Sequence, residues 1–276
     1  MKRFLLSMLL MLLSAASFAA QKDTLRVLAI GNSFSQDAIE QNLYSLAAAD
    51  GKVLIIGNMY IGGCSLERHY QNSRNNAPDY EYRKIEGGVR NNRRHMTLEK
   101  ALADEKWDYV SFQQASHFSG KAETYEPFLT DLISYVAARV PADTKFLFHQ
   151  TWAYESTSDH YAFPDYDRDQ QKMYKLIIDC SKKACKDHKL TVVPAGTAVQ
   201  NLRGTFLGDH ITRDGYHMDL NYGRYLVACT WYEVLFGKSP VGNAFVRQGL
   251  DEKTAQATQK AAHAAVKNPW KVSKIK

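Results

Sequence analysis

The sequence has few of the features that mark metal, nucleic-acid or membrane proteins. It contains 4 cysteines in 276 residues, and no Cys-x-x-Cys or His-Glu-x-x-His spacing occurs, so neither a metal site nor a cofactor is predicted. The formal net charge of +6 is too small to indicate a nucleic-acid partner. Beyond the first twenty residues no apolar run is long enough to span a bilayer, so no integral membrane segment is expected in the mature chain.

The first twenty residues have the pattern of a secretory signal peptide. Lys2 and Arg3 form a positive segment, Phe4 to Leu13 is apolar, and small residues follow. Such a segment is too short to be a permanent span. We expect cleavage after Ala19 or Ala20, preferably the latter, and export to the periplasm or the extracellular space. The absence of a cysteine at this junction argues against a lipoprotein anchor.

Residues 21–276 alternate apolar, β-rich runs with helical patterns. This alternation predicts a single α/β domain, a three-layer α/β/α sandwich of flavodoxin-like type around a mainly parallel, five-stranded sheet. The predicted strands are Leu25–Ile30, Val53–Gly57, Tyr109–Phe112, Lys145–His149 and Leu190–Val193, and the predicted helices are Asp37–Asp50, Glu126–Arg139, Asp169–His188 and a last one at Asn221–Phe236.

The segment from Asn58 to Glu105 departs from this alternation and contains two long turns rich in Asn, Gly and Arg. A long excursion after the second strand of such a sheet emerges at the carboxyl edge, where ligands bind. We therefore expect a substrate-side insertion with some helix of its own. The basic run Arg90–Arg94 is interpreted as a solvated loop, with contact to an acidic group as the alternative.

The four cysteines are predicted to be buried free thiols. Cys180 and Cys185 lie five residues apart on one predicted helix, where side chains point about 140° apart. Cys64 and Cys229 cannot be paired from sequence alone. Cys64 is a nucleophile in principle, but it lies at no predicted helix start and has no partnering histidine, so packing is the favoured interpretation.

Two clusters can carry chemistry. The first, Gly31 to Ser35, joins the first strand to the first helix, so Ser33 would lie among the free backbone N–H groups of a helix start. An alternative is that Ser33 and Gln36 form a capping box without catalytic role. The second cluster is Asp214-Gly215-Tyr216-His217. Its carboxylate can orient the imidazole to accept a proton from serine, although a surface turn would show the same spacing.

Taken together, these clusters resemble the SGNH (GDSL-like) hydrolase superfamily, and the resemblance spans the mature chain. Gly31 to Ser35 looks like the family's Gly-Asp-Ser block, with Asn32 in place of the usual Asp. Ile61 to Ser65 looks like the second block, and Asp214 to His217 matches the Asp-x-x-His block. The chain looks closest to an uncharacterised bacterial branch whose first block reads Gly-Asn-Ser-Phe-Ser.

The third block departs from the family, which has Gly-x-Asn-Asp after the third strand, where the asparagine donates to the oxyanion. Here the sequence is Phe112-Gln113-Gln114-Ala115. A glutamine amide offers the same donor on a longer arm, so Gln113 or, preferably, Gln114 is predicted to replace the asparagine. The alternative is that these glutamines only tie the loop to the strand.

The resemblance implies a secreted serine esterase in which Ser33 is the nucleophile, His217 the base and Asp214 its orienting acid. Backbone N–H groups of Ser33 and of Gly63 or Gly62 would complete the oxyanion hole. The expected substrate is a small acyl ester, with O-acetyl groups on a carbohydrate favoured because the protein is exported and the superfamily often acts on such esters. A lysophospholipase, a thioesterase and a non-catalytic carbohydrate-binding protein are the alternatives.

Two aromatic residues, Trp152 and Tyr154, are candidates for substrate binding. Trp152 and Tyr154 follow the fourth predicted strand, at the sheet edge where Ser33 is expected. They are predicted either to stack on a sugar or to pack in the core.

Overall fold

The structure is a computed structural model that describes residues 24–275; the predicted signal peptide and its cleavage site lie outside them. The strands are β1 Thr24–Gly31, β2 Val53–Tyr60, β3 Tyr80–Glu86, β4 Val89–Met96, β5 Tyr109–Phe112, β6 Lys145–His149 and β7 Thr191–Val193. The helices are α1 Ser33–Ile39, α2 Leu43–Ala49, α3 Leu66–Asn75, α4 Leu98–Leu102, α5 Phe128–Ala137, α6 Gln170–His188, α7 Ala195–Arg203, α8 Tyr222–Phe236 and α9 Glu252–Lys267.

All strands belong to one sheet in the order β4-β3-β2-β1-β5-β6-β7. The five predicted strands correspond to β1, β2, β5, β6 and β7, and they pair in parallel in the order β2-β1-β5-β6-β7. The mainly parallel sheet is therefore confirmed. Because parallel strands end at a common edge, the loops after β1, β2, β5 and β6 meet there.

Strand β1 is central because both of its faces are apolar. Val27 and Ala29 point into one core, which also contains side chains of α1, α2, α7, α8 and α9. Leu28 and Ile30 point into the other core, with side chains of α3, α4 and α5. A strand buried on both faces has no polar alternation, as expected for the middle of a parallel sheet. The three-layer arrangement follows.

The sheet has seven strands, so the prediction of five is wrong. The insertion between β2 and α4 contains the hairpin β3–β4, which extends the sheet in antiparallel fashion beyond β2. Its turn is Gly87-Gly88, where both residues have positive φ, the conformation that a two-residue hairpin loop requires. Strand β4 is exposed almost throughout. Its polar sequence has no apolar period, which is why the run Arg90–Arg94 was interpreted as a loop.

Two helix predictions also need correction. The helix predicted at Asp37–Asp50 is two helices, α1 and α2, separated at residues 40–42. The helix predicted at Asn221–Phe236 agrees with α8 to within one residue but is not the last, because α9 follows it. Helix α9 begins after Asp251, whose side chain accepts a hydrogen bond from the Thr254 N–H at 2.9 Å. The other two predicted helices agree with α5 and α6 to within two residues.

Cys64, Cys180, Cys185 and Cys229 are all free and buried, as predicted. Burial raises the pKa of the Cys64 thiol to about 12, so this thiol stays protonated at neutral pH and packs as an apolar group. Among residues 24–275 no helix is long and apolar enough to cross a membrane. In the same part of the chain no group of three His, Cys, Asp or Glu side chains could hold a metal ion.

Candidate active site

Ser33 is the first residue of α1, at the carboxyl end of β1. The preceding Asn32 is the N-cap, and its Oδ1 accepts the Phe34 N–H at 3.0 Å. The turn into the helix is tight: a Cβ at Gly31 would lie 2.4 Å from Ser35 Oγ, which explains the glycine. The cap is therefore made by Asn32, and the Ser33 hydroxyl is left available for another partner.

That partner is His217. Ser33 Oγ lies 2.9 Å from His217 Nε2, and His217 Nδ1 lies 2.6 Å from Asp214 Oδ2. A carboxylate can only accept, so Nδ1 carries the proton and Nε2 is the acceptor for the serine hydroxyl. The structure thus brings the three residues predicted from separate clusters into one hydrogen-bonded chain.

Asp214 is held in the charged form. Burial alone would raise its pKa, but hydrogen bonds from the ring and backbone N–H of His217 outweigh it, and the net effect lowers the pKa of Asp214 below its ordinary value. The carboxylate is therefore ionised at any pH at which histidine can act as a base. An ionised partner stabilises the imidazolium that forms when serine loses its proton.

The loop that carries Asp214 and His217 is anchored to α1 by Asp37, which lies one helical turn after Ser33 and is 1% exposed. Its carboxylate accepts the Met218 N–H at 2.9 Å and pairs with Arg213 at 3.1 Å and with Arg224 at 2.7 Å. Helix α1, which carries Ser33, and the residue after His217 are thus joined through one buried carboxylate.

Trp152 also contacts the loop that carries Asp214 and His217. It is 0% exposed, its ring packs edge-on against Phe34 with centroids 4.1 Å apart, and its indole N–H donates to the Tyr216 carbonyl at 2.7 Å. Tyr154 is also 0% exposed. Neither side chain can stack on a substrate, so the prediction that they bind one is corrected in favour of core packing.

The other side of Ser33 is held by neutral amides. Asn32 Nδ2 donates to the Cys64 carbonyl at 3.0 Å, and Asn32 Oδ1 also accepts from Gln113 Nε2 at 2.7 Å. Gln113 Oε1 in turn lies 3.0 Å from His149 Nδ1. An aspartate at position 32 could not donate to the Cys64 carbonyl. This hydrogen bond gives a physical reason for asparagine rather than aspartate at position 32.

The contacts of the two glutamines do not support the predicted oxyanion role. Gln113 uses its amide as a bridge between Asn32 and His149. Gln114 Oε1 accepts the backbone N–H groups of Leu66 and Ala115 at 3.0 and 2.8 Å, while its Nε2 donates to Thr124. Both side chains tie loops together, which was the alternative interpretation.

The second block forms a tight turn beside Ser33. The Cys64 N–H donates to the Ile61 carbonyl at 3.2 Å, and Gly63 has φ +61°, a conformation that favours glycine. Gly62 and Gly63 are exposed. Among residues 24–275, the backbone N–H groups of Ser33 and Gly63 donate to no protein atom, so both remain available to an oxyanion.

Several residues of the site were missed from sequence. One feature of the sequence pointed to Asp37: it is an acidic residue one helical turn after Ser33. Nothing in the sequence pairs it with Arg213 or Arg224, which are more than 170 positions away. The sequence gives Tyr216 no role beyond the spacing of Asp214 and His217, yet its ring lies beside that of His217, with centroids 4.2 Å apart.

The fold can be compared with solved structures. The chain aligns with an acetylxylan esterase from Geobacillus stearothermophilus, solved as a catalytic mutant, at 12% identity and TM-score 0.51, covering 81% of this chain and 96% of that one. It aligns with a protein from Slackia heliotrinireducens, described provisionally as an SGNH hydrolase, at 21% identity and TM-score 0.53, covering 76% and 98%. The chain therefore has the fold of the SGNH hydrolases.

Within that fold class, the model of the DUF4886 family, a domain of unknown function, matches residues 26–265, and the chain belongs to this family. A DUF4886 family protein from Bacteroides uniformis is 51% identical, with TM-score 0.90 and coverage of 92% of this chain and 100% of that one. No curated protein matches the chain.

Proposed function

We propose that this protein is an exported serine esterase that removes small acyl groups, with O-acetyl groups on a carbohydrate as its substrate. The observation that carries the proposal is the chain of contacts from Ser33 Oγ through His217 to Asp214, at 2.9 and 2.6 Å. A serine that donates to an imidazole oriented by a carboxylate is an activated nucleophile.

The mechanism follows from these contacts. As Ser33 Oγ attacks the ester carbonyl, its proton moves to His217 Nε2, and the charge on the carbonyl oxygen is stabilised by the free N–H groups of Ser33 and Gly63. When the C–O bond to the alcohol breaks, the alcohol takes the proton from His217. Water then attacks the acyl-enzyme, gives a proton to His217, and releases the acid while Ser33 regains its hydrogen.

The choice of substrate rests on two supports. A Cβ added at Gly63 would meet no atom within 4 Å, so there is space beside this proposed oxyanion donor, which suits an ester on a bulky alcohol. One solved structure with the same fold is an acetylxylan esterase. Export is proposed from the signal-like segment at Met1–Ala20.

The test is the rate of hydrolysis of p-nitrophenyl esters from acetate to longer acyl chains, by the wild type and by Ser33→Ala. We expect turnover of the acetate that disappears in the variant. Preference for long chains would favour the lysophospholipase or thioesterase alternative. Equal rates in both proteins would rule out Ser33 as nucleophile, and binding of carbohydrate without any turnover would favour the non-catalytic alternative.

A further inference from the structure

A run of rings extends from the triad across the carboxyl edge of the sheet. The ring of Tyr216 lies 4.7 Å from that of His160, His160 lies 4.6 Å from Tyr161, and Tyr161 lies 5.9 Å from His117, centroid to centroid. We call these four residues the aromatic strip. Because Tyr216 also contacts His217, the strip is continuous with the candidate active site.

The strip is assembled from three loops that are distant in sequence. His117 follows β5, His160 and Tyr161 follow β6, and Tyr216 belongs to the loop of the triad. The rings therefore meet only because the parallel strands end at one edge. Tyr161 is 76% exposed, and its ring packs against the rings of His160 and His117 instead of a core.

His160, at the centre of the strip, is held by hydrogen bonds. His160 Nδ1 accepts the Ala162 N–H at 3.1 Å, and the His160 N–H donates to Ser158 Oγ at 3.3 Å. The two imidazoles are nearly parallel, at 23°. A preorganised row of rings binds a ligand with a smaller loss of conformational freedom than a mobile one does.

The charges around the strip indicate a neutral ligand. Burial, and then the neighbouring His217, lower the pKa of His160; burial, and then His160, lower that of His117. Both imidazoles are therefore uncharged at neutral pH. Asp159 and Asp214 act electrostatically on His160, and Lys121 and Asp165 act on His117. Three carboxylates against one ammonium group disfavour an anionic ligand.

We propose that the aromatic strip binds a neutral pyranose ring, the part of the ester that lies beyond the acyl group. The flat C–H face of a pyranose packs on aromatic rings, while the phenol groups of Tyr161 and Tyr216 can hydrogen-bond its hydroxyls. This inference rests on the proposed function, because it assigns the alcohol part of the same substrate.

The experiment compares two acetates that differ in the ring: a methyl pyranoside monoacetate and ethyl acetate, with acetate release as the readout. In Tyr161→Ala we expect kcat/KM for the pyranoside to fall about 10-fold, mainly through KM. Ethyl acetate, which has no ring, should be hydrolysed within about twofold of the wild-type rate. Tyr161→Phe keeps the stacking face and should retain most of the activity on the pyranoside.

Phe206→Ala is the matched control. Phe206 is 54% exposed, but its ring contact is Lys253 on α9, outside the strip, so both substrates should be unaffected. Equal effects of Tyr161→Ala on the two acetates, or none on either, would overturn the assignment of the strip.

A binding measurement separates this inference from the proposed function. Calorimetric titration of Ser33→Ala with the pyranoside monoacetate should show binding, and the double variant Ser33→Ala/Tyr161→Ala should bind about 10-fold more weakly. If the wild type hydrolyses neither acetate, the esterase proposal fails while the titration still tests the strip. If hydrolysis occurs but the titration shows equal affinity in both variants, the strip is wrong and the esterase stands.

Discussion

Different kinds of interaction hold the two sides of Ser33: ion pairs on the side of His217, and neutral hydrogen bonds on the side of the proposed oxyanion hole. On the base side, the buried Asp37 carboxylate pairs with Arg213 and Arg224 and accepts the Met218 N–H. On the oxyanion side, the amides of Asn32 and Gln113 make short neutral hydrogen bonds. Removal of one partner from a buried ion pair leaves an uncompensated charge, whereas a neutral hydrogen bond contributes only about 0.5–1.5 kcal/mol net.

This difference agrees with what the proposed reaction requires on each side of Ser33. The base must accept and return a proton at one nitrogen, so the orientation of His217 tolerates little error. The proposed oxyanion donors are backbone N–H groups, whose positions are set by the chain itself once the turn at Gly63 is formed. We therefore expect substitutions on the base side to reduce activity more than those on the oxyanion side.

The largest effect is expected for Asp214→Asn, which removes the acceptor that fixes the proton on His217 Nδ1. Loss of this function reduces kcat by about 10⁴ in serine hydrolases. Because the pKa of Asp214 is lowered, the wild type should keep its ionised Asp214 down to pH values below 3.8, the ordinary value for aspartate. The measurement is kcat on p-nitrophenyl acetate; a loss of less than tenfold would contradict the orienting role.

Asp37→Ala should have the next largest effect. It leaves Arg213 and Arg224 without their buried partner, and breaking a buried ion pair in this way destabilises by about 3–5 kcal/mol. If Asp37 positions His217, kcat should fall while KM changes little, since the substrate does not touch this carboxylate. Urea unfolding and steady-state kinetics measure the two quantities.

The control for Asp37→Ala is Lys238→Ala, which breaks the ion pair with Asp50 at 2.7 Å. The Lys238 side chain is largely exposed, and such surface pairs contribute about 0–1 kcal/mol. Its kcat should not change. A similar loss of kcat in both variants would mean that the effect of Asp37→Ala does not depend on its position beside His217.

On the oxyanion side, Asn32→Asp tests the tie between the first and second blocks. The aspartate keeps the acceptor for the Phe34 N–H but loses the donor to the Cys64 carbonyl. The turn at Gly63 would then be displaced, and we expect kcat to fall about 10- to 100-fold, less than the loss of one oxyanion donor. Asp169→Ala, which removes the N-cap of α6, should destabilise by about 1 kcal/mol and leave kcat unchanged.

The strands of the parallel sheet could be predicted from the sequence, but the antiparallel hairpin could not. The parallel strands are marked by apolar runs between helical patterns, and these predictions agree with β1, β2, β5, β6 and β7 to within three residues. The hairpin β3–β4 was missed because β4 is a polar edge strand, whose position depends on pairing with β3 rather than on burial of its own side chains.

Some residues of the candidate site could be predicted from the sequence, and others could not. Ser33, Asp214 and His217 were found because their chemistry requires particular residue types at particular places in the chain. The roles of Asp37 and Trp152 could not be found, because a buried carboxylate and a buried indole act through partners that only the fold brings close. Gln113 and Gln114 have the chemistry of oxyanion donors, but hydrogen bonds to other groups direct their amides elsewhere.

The prediction for His149, which contacts Gln113, concerns stability and not turnover. Burial lowers the pKa of His149 to about 3 from an ordinary value of 6.5, so the unfolded state binds a proton more readily than the folded state does between these values. The contribution of this pKa difference to the free energy of unfolding is therefore constant above pH 6.5. Below that value the folded protein loses about 1.4 kcal/mol per pH unit through this one group.

His149→Gln removes this proton linkage while keeping a side chain that can donate to Gln113. The difference in free energy of unfolding between wild type and variant should therefore shift by about 1.4 kcal/mol per pH unit, against the wild type, from pH 6 to pH 4. Urea unfolding at pH 7, 6, 5 and 4 measures it, with exchange of the exposed His210 for glutamine as the control. A pH-independent difference would mean that His149 is protonated in the folded state, and that the neutral network beside Ser33 contains a charge.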